Sequence, residues 1–148
     1  MTSDDESFLQ QFEAGKWPNE HWHHEQHIKI AYLYLRRYPF AEAAIRIREK
    51  IQAHNRANNV PEAPERGYHE TMTQAWLRLV HFTLCEYGPA ETSDAFYQQS
   101  PQLSQKKILR LFYSRDVFMS PRAKTEFLEP DLAPLPRSRK PPQRGVRP

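Results

Sequence analysis

At 148 residues the chain is sized for one domain around a single core. Thirteen prolines against four glycines, no apolar run of about 18 residues and a lone cysteine argue against a β-sandwich, a membrane-spanning helix, an internal disulfide and a Cys-based zinc site. The net charge of +3 belongs to the end of the chain: Ala133 to Pro148 carries five Lys/Arg and no acid, so residues 1–132 come to about −2.

That division sets the expected organisation. Residues 1–132 should form the folded domain, and 133–148 a basic, Pro-rich tail without the apolar content to order itself. A solubilising extension is the plain reading of such a tail; nucleic acid or an acidic partner would be met only there, since no recognition motif precedes it. The opening MTSDDESFLQQF lacks the basic-then-apolar layout of a secretory leader, and with only Cys85 a reducing cytoplasm is expected.

The elements read as helices joined by Pro-marked loops. Phe8, Leu9 and Phe12 stand at helical spacing and Gly15 stops the first helix. Asn19 should cap a second helix running to about Arg37, before Tyr38–Pro39. A third carries Phe40, Ala44, Ile47 and Ile51 on one stripe, and two prolines and a glycine mark the loop that follows. HETMTQAWLRLVHFTLCEY is a fourth helix closed by Gly88–Pro89. AETSDAFYQQ and SQKKILRLFYS suggest two shorter helices, and SPRAK a last start with Pro at the first position. The class is all-α: an irregular bundle of five to six helices, with helices two, three and four running up, down and up.

Histidines then fall on faces. Laid out at about 100° per residue, the second helix places Glu20, His24 and His27 with Ile28, Ala31 and Leu35, while Glu25 faces out toward Lys29. On the fourth, His69 aligns with Trp76 and Val80, and Glu70 falls on the polar side as a first-turn acid. His21, His23, His54 and His81 read as surface or rim. In an up-down-up bundle His24, His27 and His69 meet at one end, where helix three delivers Asn55.

That convergence suggests a metal. Three imidazoles suit a divalent transition ion (Zn, Fe, Ni or Cu, with Mn if a carboxylate joins) and leave a position for water or substrate, the pattern of a metal-dependent enzyme acting on a small molecule. Glu20 would be a fourth ligand, a base or an acceptor orienting an imidazole, and Asn55 would contact substrate. Trp22 and Tyr68 would wall the pocket. Taken singly, each inward histidine is more often a hydrogen-bonded core residue than a ligand. The alternative is therefore a metal-free helical module whose His-lined pocket holds a small ligand or a partner. In LFYSRD, Arg115 could hold a carboxylate or phosphate; a capping pair with Asp116 is the structural alternative.

The blocks W-x-H-x-x-H (Trp22, His24, His27) with AYLYLRRYP, G-Y-H-E-T-x-T-x-x-W (Gly67 to Trp76) and LFYSRD resemble a family of small, largely uncharacterised bacterial proteins over about Phe8 to Leu132. The resemblance implies that His24, His27 and His69 belong to one pattern, without implying a reaction. The set also looks loosely like the three-His metal sites of DinB-type four-helix bundles. It departs from them in spacing, with a His pair early and the third 42 residues later.

Overall fold

The computed structural model describes residues 2–139. Among them the protein is helical and without β-strands. Helix α1 (Ser3–Glu13) starts where Thr2 accepts a hydrogen bond from the Asp5 amide, carries acids through its first turn and buries Phe8, Leu9 and Phe12. Gly15, at φ +72°, turns the chain out of it. The carboxylate of Asp5 then ties α1 to the other side of the molecule, accepting from the amide and hydroxyl of Ser93 at 3.0 and 2.6 Å.

The second helix begins later than its capping pattern suggests. Asn19–His21 form a single 3-10 turn, Trp22 is extended, and α2 runs His24–Arg37. Trp22 leaves the helix because its ring is used elsewhere: it stacks on Phe12, 4.9 Å between centroids and 11° between planes. A helical Trp22 could not reach across to α1, and burying an indole against a phenyl outweighs one turn of helix. Asn19 caps nothing; its amide donates to Asn58 at the end of α3. The reciprocal cap falls to Gln26, whose side chain accepts from the His23 amide at 3.0 Å.

Helices α3 (Phe40–Ala57) and α4 (Glu70–Tyr87) lie where the periodicity places them and pack with α2 around Ile28, Leu35, Ile47, Leu77 and Val80. The contacts give the expected directions. The start of α2 meets the end of α3 through Trp22 and His54, and His24 meets Trp76 of α4, while Tyr32 lies under Ala90 just past the end of α4. The register between α2 and α4 was not foreseeable. His24 stands opposite Trp76, seven residues inside α4, so His69 lies about 10 Å further along the axis.

The beginning of α4 is fixed by its own polar network. Glu70, expected on the polar side, is 4% exposed and accepts two hydrogen bonds from Arg48 at 2.9 and 2.8 Å, with one each from Tyr68 and Gln74 at 2.6 Å. Burial alone would raise its pKa, but these donors and the Arg48 charge hold it below the ordinary value. Upstream, Glu62 accepts from the Tyr68 amide and from Lys124. Gly67 (φ +88°) sits so close that a Cβ would stand 2.2 Å from the Glu62 carboxylate.

Beyond α4 the chain wraps in short pieces: α5 (Ser93–Gln98), 3-10 segments Pro101–Ser104 and Lys106–Leu111, α6 (Arg115–Phe118) and α7 (Pro121–Thr125). SQKKILRLFYS is not an α-helix. Leu103, Leu109 and Phe112 recur at multiples of three, the spacing that 3-10 turns bring to one side. Ser120 caps α7 with Pro121 at its first position, as the sequence suggests.

The fold also runs past residue 132. Leu135 is 9% exposed within the core cluster, and the Ser138 hydroxyl donates to Glu86, so the first residues of the expected tail form a packed strap. The expectation of disorder for 140–148 lies outside the described residues. No helix among those described is long and apolar enough to cross a membrane.

Candidate functional site

A cavity of about 980 Å³ opens between the start of α2, the facing sides of α3 and α4, and the wall made by Lys106–Phe118. Its interior is apolar, with Ile47 and Ile51 from α3, Met72 and Leu77 from α4, and Leu109. Trp22 and Trp76 supply flat walls, and Met119 and Leu132 are exposed at the mouth. His24 and His27 line it from one helix face, one turn apart, with His23 at the edge. The volume is in the range of sites for small organic ligands.

The two histidines differ in what they are given. His24 donates through Nε2 to the Leu103 carbonyl at 2.7 Å, with its ring edge on Trp76. That bond requires the proton on Nε2 and leaves Nδ1 an acceptor. His27 lies 4.4 Å from the Trp22 ring centroid, and among the described residues neither of its nitrogens has a hydrogen-bond partner. It is half-buried, and one edge opens to the cavity. Burial, with the neighbouring His24, His54 and Lys106, pushes its pKa down to about 3, so the imidazole is neutral at physiological pH. Burial also lowers His24, against the Leu103 hydrogen bond and with the help of the Lys106 charge.

The other expected site residues stand elsewhere. His69 is not on the α4 face but is its N-cap: Nδ1 accepts from the Met72 amide at 3.0 Å and Nε2 donates to the Phe118 carbonyl at 3.0 Å. Its ring stacks on Phe118 at 4.8 Å. With both nitrogens committed it has no lone pair for a metal. Glu20 is exposed in the 3-10 turn and does not line the cavity, because the break at Trp22 removes the helical phase that would have turned it inward. Asn55 is buried on α3 but outside the lining, and its carbonyl accepts from Val60. Tyr68 is turned away to Glu70.

The residues present therefore do not fit a three-His centre. Of the three expected ligands only His24 and His27 line the cavity, no carboxylate lines it, and among the described residues no group of three or more His, Cys, Asp or Glu stands together to hold an ion.

Sequence reasoning missed His54, taken for a rim residue. It is fully buried, packed on Phe12 and Trp22, with Asn19 and Asn58 each 3.4 Å from a ring nitrogen. The signal was available: His54 continues the Ile47–Ile51 stripe in the i, i+4, i+7 pattern of one helix face. His54 thus backs Trp22, which in turn backs His27. Arg115, on α6, lines the cavity and has no ion pair with Asp116. Tyr113 lines it too, with its hydroxyl donated to the Leu128 carbonyl at 2.7 Å.

A scan of family models, a search of curated proteins and a search of solved structures each find no match to this chain.

Proposed function

We propose that this protein binds a small, largely apolar organic molecule in the cavity between α2, α3 and α4. The observation that carries the reading is His27: a neutral imidazole without a hydrogen-bond partner among the described residues, held against Trp22 on the wall of a cavity whose interior is largely apolar. Its ring nitrogens are open to the cavity, and a hydrogen bond from a ligand there forms among apolar walls, where it is stronger than in water. Support also comes from rigidity. The Phe12–Trp22–His54 stack fixes the indole before any ligand arrives, so little ordering is left for the binding step. The W-x-H-x-x-H block is then a ligand-wall motif, with Trp22 as platform, His24 as a braced wall and His27 as the polar contact. A reducing compartment belongs to the same proposal and rests on the single buried thiol of Cys85.

N-phenyl-1-naphthylamine, a neutral fluorophore that brightens in apolar surroundings, tests this. The wild type should bind about one equivalent at micromolar concentration. Ile51→Trp, which builds an indole into the cavity, should abolish the signal without loss of helicity. Binding unchanged in Ile51→Trp, or absent from the wild type, would overturn the reading.

A further inference from the structure

The wall of the cavity formed by residues 106–119 has a chemistry of its own. Lys106 and Arg110 come from one 3-10 segment and Arg115 from the start of α6; all three line the cavity and all three are exposed at its mouth. None has an ion pair or hydrogen bond among the described residues. The basic side chains that pack into the fold are matched instead: Lys29 with Glu25 and Asp94, Arg48 with Glu70, Lys124 with Glu62.

Acids are absent from the lining itself. Asp131 reaches it only by accepting the Ser114 amide at 2.8 Å, and Asp116 follows Arg115 without pairing to it. The arrangement runs against the average of the fold, because residues 1–132 carry a small net negative charge. Three uncompensated cations over a low-dielectric cavity focus positive potential into it. The Lys106 charge is felt inside, where it contributes to keeping His24 and His27 unprotonated.

We infer that the ligand is an amphipathic organic anion: an apolar, preferably flat body between Trp22 and Trp76, and an oxyanion head (carboxylate, sulfonate or phosphate) held at the mouth by Lys106, Arg110 and Arg115. This rests on the binding reading above and adds the class of ligand. Arginine suits the head because its planar fork meets two oxygens at once, while Lys106 contributes a point charge. The neutral histidines deeper in suit a hydroxyl, amide or ring nitrogen of the body, not a second charge.

Two probes with one skeleton separate the inferences. N-phenyl-1-naphthylamine and its 8-sulfonate differ by the anionic group alone, and each is titrated into the full chain and into the triple variant Lys106→Gln, Arg110→Gln, Arg115→Gln. The triple variant should weaken the sulfonate by about ten-fold or more and leave the neutral probe within about two-fold, as expected when charge-assisted hydrogen bonds are lost. Wild-type affinity for the sulfonate alone should fall as salt rises from about 0.02 to 0.5 M. If both probes bind wild type in the cavity but the triple variant treats them alike, the anion inference is overturned and the cavity reading survives. If neither probe binds, or Ile51→Trp leaves both unaffected, the cavity reading itself fails.

Discussion

His69 separates two accounts of this protein. As the N-cap of α4 it makes three contributions that His69→Ala removes. One is the Nδ1 acceptor for the Met72 amide, worth about 1 kcal/mol in known caps. The second is the Nε2–H bond to the Phe118 carbonyl, about 1 kcal/mol net. The third is the half-buried stack on Phe118, about 0.5–1 kcal/mol. The expected loss is about 2.5–3 kcal/mol, or roughly 5–12 °C in Tm for a chain near this size. His69→Asn restores the cap acceptor but neither tie to Phe118, and should recover about 1 kcal/mol of that. Urea unfolding of both variants, with chelator and with added zinc, measures it. A ligand role predicts instead that Asn and Ala are equivalent and that the loss appears only with metal present. Equal Asn and Ala variants, or a zinc-dependent difference, would refute the capping assignment.

Between pH about 6.5 and 5 the unfolded chain protonates its histidines while folded His27, with a pKa of about 3, stays neutral. Stability should therefore be fully present above 6.5 and fall as pH drops through that window. His27→Gln should flatten the slope by up to about 1.4 kcal/mol per pH unit in urea titrations; an unchanged slope would mean His27 is not buried neutral. Gly67→Ala should destabilise by about 1–3 kcal/mol, since it combines φ +88° with a Cβ 2.2 Å from Glu62. Adding Glu62→Ala should relieve only the steric part, and a Gly67→Ala protein as stable as wild type would contradict the loop geometry. Deleting residues 133–148 should cost about 1.5–3 kcal/mol through loss of buried Leu135; no change in the urea midpoint would show that the strap does not pack.

What the sequence showed and hid follows a physical line. The stripes of α3 and α4 and the inward direction of His24 and His27 were legible because a helix wheel needs only local spacing. Glu20 was misplaced because the wheel assumes an unbroken helix, and the break depends on Phe12, ten residues upstream. His69 was misplaced because the sliding of α4 against α2 is set by the segment between Ala57 and Glu70, with its Glu62–Gly67–Tyr68 clamp, and not by any pattern on the helices. The burial of Glu70 needed knowledge that Arg48 faces it from α3. Nothing local announced the cavity wall at 106–119 either. LFYSRD offers Arg115 as an anion contact, but only the 3-10 turns bring Lys106 and Arg110 with it over the apolar opening.

The central claim is that the α2–α3–α4 cavity is a ligand site whose polar wall is His27. Imidazole nitrogen NMR of the full chain at pH 7, titrated with N-phenyl-1-naphthylamine, tests it most directly. His27 should shift most and His24 less, whereas the capping His69 and the core His54, both already hydrogen-bonded, should stay in place. Largest shifts at His69 or His54, or none at His27 under saturating probe, would contradict the account.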